Sequence, residues 1–331
     1  MRRILLYTAL LAALFFALDR AVAFALSRFL FPSVLSGEAG GDLNRLLKKR
    51  RDADLLILGS SRARHHIDPA LLSPDVARRP YNAGANGVGD LFYAGVVLDL
   101  ALREGLRPRT VILQTDAWQF EGGEQGERGD RSPRIERDEG ADVKARRARG
   151  LSALYPFLDA SPLLRRYVRE HAGFREKTLL LLHAYRFNGK VPNLVAHSLR
   201  RSTPVDAARD GFEPLQGRLA NATPAAGEPL SELDPAALEA FRAIVNLCAR
   251  HGIRLVVVMP PYFEACACEG RRAGLPGTLR AQGADRVLDF GVPPSPLMQP
   301  GLWRDPAHLN SEGAALFSRI LNDSLTAAPR P

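Results

Sequence analysis

The stretch Asp54-Leu-Leu-Ile-Leu-Gly-Ser-Ser-Arg-Ala-Arg-His-His-Ile-Asp-Pro69 decides the fold of this chain. Its apolar run, Leu55–Leu58, is too short for a typical helix and predicts a strand buried on both faces, as in parallel sheets. Glycine and two serines follow at the carboxyl end of that strand, which is where ligands bind in open α/β sheets. A serine at this edge is a candidate nucleophile. The alternative is that Ser60 and Ser61 only cap the next helix.

The rest of the chain alternates strand and helix patterns around this stretch. Apolar, β-branched runs predict buried strands, and apolar periodicity of 3.6 residues predicts the helices between them. This alternation is typical of an α/β fold with a parallel sheet. The further strands are predicted at residues 110–114, 253–259 and 286–290, and the helices at 90–106, 234–251 and 312–325.

Composition limits the class of protein. The 331 residues are enough for one large domain with a sizeable core. The formal net charge of +9 comes mainly from arginines spread along the chain, without the aromatic residues of a nucleic-acid-binding module, so no nucleic acid partner is expected. Attraction to anionic lipid or an anionic polymer fits this charge. Cys248, Cys266 and Cys268 have no spacing that indicates a disulfide framework or a zinc site.

The amino terminus carries a membrane signal. Met1-Arg-Arg precedes an uncharged apolar run over 4–18, and apolar residues continue after Asp19-Arg20. This pattern predicts a signal-anchor transmembrane helix over 1–32, and the charged start favours an amino terminus inside the cytoplasm with the remainder outside it. The alternative is a signal peptide cleaved after Ala21-Val22-Ala23, which would leave a secreted or periplasmic protein. A third reading is a cytosolic α/β protein with an amphipathic start.

The chain after this helix divides by composition. Residues 33–53 are expected to form a juxtamembrane linker that turns into a basic helix. The strand-rich segments 54–119 and 234–326 are expected to form the two halves of one core. Residues 120–233 between them are rich in charge, glycine and proline and lack a sheet pattern, so we expect an insertion or lid.

Two further residues complete a candidate catalytic set. Asp305 and His308 are three positions apart, a spacing that lets both side chains face one way. A serine nucleophile needs a base, and the base needs a group that fixes its tautomer, so Ser61, His308 and Asp305 suit the three roles of a triad. Taken singly, Asp305 suits a helix cap and His308 suits a packed or solvated histidine. The glycine-rich loop at 82–89 does not match G-x-G-x-x-G in register, which argues against dinucleotide binding.

With these motifs the sequence resembles the SGNH (GDSL-like) hydrolase family over residues 54–119 and 236–325. The family's Gly-Asp-Ser motif is matched by Gly59-Ser60-Ser61, with Ser60 in place of the aspartate, so the resemblance implies that Ser61 is the nucleophile. The family's last motif, Asp-x-x-His, is matched by Asp305 and His308. The resemblance thereby implies that these two residues orient and activate Ser61.

The resemblance also implies an oxyanion site, with one departure. Gly84 matches the family's glycine whose amide serves the oxyanion hole, and the amide of Ser61 supplies a second donor. The family's Gly-x-Asn-Asp motif is not met, because Gln114-Thr-Asp116 stands in its place without an asparagine. Asn86 and Gln114 are the side chains that are candidates to substitute, and Asp116 lies in the same binding block. Losing one donor of an oxyanion hole costs about 2.7–4 kcal/mol in the barrier.

The family implies a three-layer, flavodoxin-like α/β fold with a mostly parallel sheet of about five strands. Gly-Ser-Ser and the apolar start are most similar to the membrane-attached branch that modifies cell-envelope polymers, as in teichoic-acid D-alanylation and polysaccharide O-acetylation. That branch implies a serine esterase or O-acyltransferase without metal or cofactor, acting on an acylated polymer or a small acyl ester. Its partner would be a membrane-bound O-acyltransferase. The alternative is an inactive SGNH-fold protein that binds or assembles an envelope polymer or such an acyltransferase complex.

Overall fold

The computed structural model describes residues 1–30, 41–88, 90–120, 150–187, 209–219, 233–263, 274–291 and 296–327. The chain forms two compact units, one of Met1–Arg45 with Leu151–Val205 and one of Leu46–Gly150 with Asp206–Pro331. Several sequence expectations fall outside the described residues: the end of the apolar start at Phe31, Cys266 and Cys268, and most of the segments at 122–150 and 190–233.

The larger unit is built on a parallel sheet. Its strands are β1 (Leu55–Leu58), β2 (Pro80–Asn82), β3 (Thr110–Gln114), β4 (Arg254–Met259) and β5 (Arg286–Asp289). They lie in the order β2-β1-β3-β4-β5, and every neighbouring pair is parallel. The prediction of an α/β protein with a parallel sheet of about five strands is confirmed. Strand β2 was not predicted, because three residues are too few to make a pattern.

Two long helices of the larger unit begin at aspartate caps. Asp90 accepts a hydrogen bond from the backbone N–H of Phe92 (2.8 Å), and Asp234 accepts one from that of Ala236 (2.9 Å). Pro235 occupies the first helical position after Asp234, where its missing N–H costs nothing. The helices that the structure describes are, in order along the chain, α1 (Arg2–Ala25), α2 (Gly41–Lys49), α3 (Ser61–His66), α4 (Leu91–Arg103), α5 (Pro162–His171), α6 (Phe174–Leu179), α7 (Pro235–Arg250), α8 (Leu275–Ala281) and α9 (Ser311–Thr326). Helices α1, α5 and α6 belong to the smaller unit, and the division between the units falls within α2.

The core of the larger unit lies on both faces of the sheet. Ile57, Ile112 and Val256 belong to a buried cluster that includes Phe317 and Leu321 of α9, so α9 covers one face. Successive side chains of a strand point to opposite faces, so the alternate side chains of these strands lie on the other face of the sheet. In the same unit, helices α4 and α7 pack against each other. Cover on both faces explains why β1 is buried throughout and β3 is buried after Thr110.

The strand order fixes where a site can form. In the order 2-1-3-4-5 the chain winds in opposite directions on the two sides of the boundary between β1 and β3, which makes that boundary a topological switch point. The chain leaves the carboxyl end of β1 through Gly59-Ser60-Ser61 and that of β3 through Thr115-Asp116. Polar residues from both motifs are thereby brought together at one crevice.

A short hairpin closes the chain onto this edge. Strands β6 (Trp303–Asp305) and β7 (His308–Leu309) are antiparallel, and Asp305 lies opposite His308 across the turn. Helix α9 follows, with Asn310 as its cap. The turn before a closing helix was predicted, whereas its pairing as a hairpin was not.

Residues 209–219 belong to the larger unit although they fall in the stretch where an insertion is predicted. The N–H of Glu213 donates to the carbonyl oxygen of Arg64 (3.1 Å), and the N–H of Ser311 donates to that of Leu215 (2.8 Å). This segment therefore joins α3 to the start of α9. The lid role of residues 120–233 stays a prediction.

The smaller unit contains the apolar N-terminal helix. Helix α1 continues as a π-helical turn over Leu26–Leu30, and residues Arg2–Phe29 include an 18-residue window with a mean hydropathy of 2.0. This helix is long and apolar enough to cross a membrane, as predicted. The same unit holds α5 and α6.

Candidate active site

Gly59 makes the sharp turn between β1 and α3 possible. Its φ of +149° favours glycine, and a Cβ at this position would lie 2.6 Å from Gln114 Oε1 and 2.9 Å from the Cβ of Ala63. A larger residue would push the start of α3 away from the end of β3. The glycine of the motif is therefore required by close packing around the turn.

The two serines after Gly59 have different roles. Ser60 is the cap of α3, since its Oγ accepts a hydrogen bond from the Arg62 N–H (3.2 Å) and donates one to Gln114 Oε1 (2.9 Å). Ser61 is the first residue of the helix, and its Oγ lies 2.8 Å from Nε2 of His308. The cap and the candidate nucleophile are thus both present, on neighbouring residues.

His308 is oriented by Asp305. Its Nδ1 lies 3.0 Å and 3.1 Å from the two carboxylate oxygens of Asp305. A carboxylate only accepts, so Nδ1 carries the proton and Nε2 is left as the acceptor for the Ser61 hydroxyl. Asp305 Oδ1 also accepts from the backbone N–H groups of Ala307 and His308, at 2.9 Å each. Asp305 therefore stabilises the turn and fixes the histidine tautomer at the same time.

The environment keeps Asp305 ionised. Burial on its own would raise the pKa of this carboxyl, but the hydrogen bond from His308 and those from the two backbone N–H groups outweigh it, so the pKa is lowered from the ordinary value of 3.8. The side chain is 45% exposed, against 24% for His308, so solvent also supports the charge. A charged Asp305 can stabilise an imidazolium on His308.

Gly84 lies at the site but its amide is engaged. A Cβ at this position would lie 2.5 Å from the backbone N of Arg64, so glycine allows the loop to pack directly on α3. The Gly84 N–H donates to Asn82 Oδ1 (2.9 Å). The expected oxyanion donor is therefore already committed in this structure, because an amide has a single proton to give.

Gln114 and Asp116 are also held in an internal network. Gln114 Nε2 donates to Asp116 Oδ2, and Gln114 Oε1 accepts from the backbone N–H and the hydroxyl of Ser60, all at 2.9 Å. Both side chains are fully buried. One amide proton of Gln114 is given to Asp116, so the expectation that Gln114 replaces the missing asparagine finds no support in these contacts. Gln114 instead ties the end of β3 to the cap of α3.

One backbone donor near the turn is uncommitted. Ser61 opens a helix, and its N–H has no acceptor among the described residues. Asn86 follows Ala85, whose N–H donates to the Gly59 carbonyl oxygen (3.1 Å), so its position is one residue from the turn. The Asn86 Oδ1 is buried and, within the part of the chain that the structure describes, has no partner. An unpartnered amide oxygen is an acceptor, so it adds no oxyanion donor, and a donor role for the Asn86 Nδ2 stays a prediction.

Arg62 is a site residue that the sequence analysis missed. It is 3% exposed and forms an ion pair with the fully buried Asp116. Its guanidinium also donates to the carbonyl oxygens of Ala307 (3.1 Å) and Pro260 (3.2 Å) and lies 3.5 Å from the ring centroid of Tyr262. The sequence carried one signal for it: an arginine inside the motif after β1 and an aspartate directly after the neighbouring β3.

Two further histidines stand beside His308. His66 is fully buried, and its Nε2 accepts from the Leu309 N–H (3.1 Å); burial and the nearby Arg62 hold the pKa of His66 well below 6.5. The Nδ1 of His65 donates to the carbonyl oxygen of Glu213 (2.6 Å), and burial lowers its pKa as well. Their ring centroids lie 6.1 Å and 5.9 Å from that of His308. Neutral imidazoles at these places add no charge that would oppose protonation of His308.

Searches against family models and curated proteins find no match to this chain. Within the described ranges, no group of three or more His, Cys, Asp or Glu side chains is arranged to hold a metal ion. A hydroxyl, an imidazole and a carboxylate in hydrogen-bonded series can perform nucleophilic attack on an acyl carbon.

Proposed function

We propose that this protein is a serine esterase or O-acyltransferase of the SGNH type. The observation that carries the proposal is the series Ser61 Oγ, His308 Nε2, His308 Nδ1 and Asp305, with separations of 2.8 Å and 3.0 Å. Both distances lie within the range of about 2.6–3.2 Å that a nucleophile, its base and the orienting group need.

The mechanism follows from these contacts. His308 Nε2 takes the proton of Ser61 as its Oγ attacks an ester or thioester carbonyl, and Asp305 stabilises the resulting imidazolium. The Ser61 N–H and the Asn86 amide receive the oxyanion. The imidazolium returns its proton to the leaving oxygen or sulfur, which frees the first product and leaves an acyl group on Ser61. Water or a polymer hydroxyl, deprotonated by His308, then attacks the acyl carbon, the bond to Ser61 Oγ breaks, and the imidazolium returns this proton to Ser61 Oγ.

The fold supports the family proposal. The strand order β2-β1-β3-β4-β5 and helices on both sheet faces agree with a three-layer, flavodoxin-like SGNH core. Ser61 follows β1 at the switch point, where such folds bind ligands. The departures are at the oxyanion site, where Gly84 and Gln114 have other partners.

The apolar helix α1 supports a cellular setting for the reaction. As a single-pass anchor it would hold the larger unit outside the cytoplasm, where an acylated envelope polysaccharide or a related polymer is the substrate. A membrane-bound O-acyltransferase is then the partner that supplies or receives the acyl group. Cleavage after Ala23 would instead release the larger unit, and the apparent mass of the mature protein distinguishes the two.

A fluorophosphonate probe tests the chemistry directly, because it reacts with serines that a base activates. We expect the wild-type protein to be labelled on Ser61 and the Ser61→Ala variant to be unlabelled. Ser60→Ala is the matched control: it removes the neighbouring hydroxyl and the cap but keeps the nucleophile, so labelling should persist. A folded wild-type protein that the probe does not label would contradict the proposal.

A second candidate is a non-catalytic protein that binds or assembles an envelope polymer. The Gly84 N–H and the Gln114 amide already donate hydrogen bonds within the protein. This favours the second candidate, because fewer donors are left for an oxyanion. This candidate requires that a strain carrying Ser61→Ala or His308→Ala keep its envelope modification at the wild-type level. Loss of modification with both variants, at unchanged protein abundance, would exclude it.

A further inference from the structure

Two exposed apolar side chains set one segment of the smaller unit apart. In the described part of the chain beyond residue 30, the large apolar side chains that are exposed are Phe174 at 87% and Leu181 at 66%. The others lie within residues 1–30. Isolated exposed apolar residues are common, but Phe174 is the first residue of the short helix α6 and Leu181 lies two residues after its end, in the same unit as α1.

This segment is held against α1 by a buried carboxylate. Asp19 is 8% exposed, and its two oxygens accept from the backbone N–H groups of His183 and Ala184, each at 2.9 Å. Arg20 also contacts the His183 ring. A carboxylate in an apolar helix is costly in a bilayer unless it is paired or hydrogen-bonded. Residues 183–184 provide these hydrogen bonds, so this segment stabilises the charge of Asp19 within the apolar helix.

The position of Asp19 defines the level of the contact. At a rise of about 1.5 Å per residue, Asp19 lies about 26 Å along the axis of α1 from Arg2. A bilayer has a hydrocarbon core about 30 Å thick. If α1 crosses a bilayer from its first residues, the segment that binds Asp19 lies at the boundary between acyl chains and headgroups on the far side.

The charges of the segment suit that boundary. Residues 162–187 contain six Arg or Lys side chains and two Glu. Arg169, Arg175 and Lys177 are exposed, whereas Leu164 and Val168 of α5 are buried within the protein. Exposed apolar side chains next to exposed basic ones are typical of helices that lie in the membrane interface. Long basic side chains can reach the phosphates while their stems cover apolar surface.

We propose that residues 162–187 are an interfacial membrane element that lies in the outer boundary of an anionic phospholipid bilayer beside α1. Phe174 and Leu181 enter the boundary between acyl chains and headgroups, and the exposed basic side chains contact lipid phosphates. The proposal rests on α1 as a transmembrane anchor and is independent of the chemistry at Ser61. It assigns a partner to a segment for which the sequence indicated no function.

Depth-dependent fluorescence quenching tests this in the full chain. The protein is reconstituted into vesicles of phosphatidylglycerol and phosphatidylcholine whose acyl chains carry bromine, and the signal of the native tryptophans is subtracted using wild-type protein. We expect the tryptophans of Phe174→Trp and Leu181→Trp to lose most of their emission. Arg242→Trp, at an exposed position of α7 in the larger unit, is the control and should keep its emission. Phe16→Trp in α1 reports insertion of the anchor.

The outcomes separate the anchor from the interfacial element. If Phe16→Trp is quenched while Phe174→Trp and Leu181→Trp respond to aqueous iodide like Arg242→Trp, the segment faces water or another protein and the proposal is wrong. An unquenched Phe16→Trp overturns the anchor and the proposal with it. In phosphatidylcholine vesicles alone we expect weaker quenching at 174 and 181 but not at 16, and equal quenching would overturn the role of the basic side chains. Fluorophosphonate labelling of Ser61 is read separately and is expected to be unchanged in these variants.

Discussion

Arg62 donates a hydrogen bond to the carbonyl oxygen of Ala307 at 3.1 Å, so the residue after the candidate nucleophile holds the residue before the candidate base. Ser61 and His308 belong to elements that are 247 positions apart in the chain. A single buried guanidinium, paired with Asp116 at the end of β3, ties both of them to the sheet. We infer that Arg62 positions the triad without touching substrate.

Replacing Arg62 should separate positioning from stability. Arg62→Ala leaves Asp116 buried without its partner, which is expected to cost about 3–5 kcal/mol of unfolding free energy. The double variant Arg62→Met/Asp116→Leu removes both charges and should recover most of that stability. Because it still lacks the bond to Ala307, we expect its kcat to stay low at a near-normal KM. Thermal unfolding and steady-state kinetics on an acyl ester measure the two effects, and full recovery of kcat in the double variant would contradict a positioning role.

Asp305→Asn tests the orientation of His308. An asparagine oxygen can still accept from the backbone N–H groups of Ala307 and His308, so the turn should persist and the melting temperature should change little. The histidine tautomer is no longer fixed by a carboxylate, and such a change lowers kcat about 10⁴-fold in a serine–histidine–aspartate triad. The rate of fluorophosphonate labelling provides the measurement. Labelling at the wild-type rate would show that Asp305 serves only the turn.

Asn86 and Gln114 should respond in opposite ways. Asn86→Ala removes the side-chain amide that we propose as an oxyanion donor and is expected to lower kcat about 10²–10³-fold, the usual cost of one such donor, with little loss of stability. Gln114→Ala leaves the Ser60 N–H without its acceptor and Asp116 Oδ2 without the donor from Gln114, so we expect it to cost about 1–3 kcal/mol of stability. Kinetics together with thermal unfolding of both variants give the comparison. A loss of kcat in Gln114→Ala but not in Asn86→Ala would indicate that Gln114, and not Asn86, supplies the oxyanion donor.

Sequence patterns predicted what depends on local periodicity and missed what depends on partners far along the chain. The strands at 55–58 and 110–114 and the cap at Asp234 follow from runs and residue types that are visible in a short window. The commitment of the Gly84 N–H depends on how Asn82 turns at the end of β2, a strand too short to be seen. Arg62 looks like one more surface charge in a basic chain until the fold brings Asp116 beside it.

The same contrast applies to Asp19. In sequence it weakens the case for a membrane helix, because a carboxylate interrupts the apolar run. In the structure its oxygens are satisfied by the N–H groups of His183 and Ala184, more than 160 positions away. Such pairing cannot be read from local composition. The apolar helix could therefore be predicted, and the segment that accommodates its charge could not.

His66 should make the protein less stable in acid. It is fully buried between Arg62 and the neighbouring histidines His65 and His308, and its pKa in the folded state lies well below the ordinary value of 6.5. Between these two values the unfolded chain binds a proton that the folded protein does not, so unfolding becomes more favourable as the pH falls below about 6.5, whereas above that value this contribution is constant. Asp305 acts in the same direction but only below 3.8, because its pKa is lowered from that value.

Substitution of His66 tests its pH range separately from that of Asp305. His66→Gln keeps an acceptor for the Leu309 N–H and cannot be protonated, so its melting temperature should decline less than that of the wild-type protein between pH 6.5 and 4.5. The variant pays for this with poorer packing against Trp303 and Phe317, so its melting temperature at pH 7.5 is expected to be lower. His251→Gln, at an exposed histidine after α7, is the control and should follow the wild-type curve. Parallel curves for His66→Gln and the wild-type protein across this range would mean that His66 is not the group that couples folding to pH.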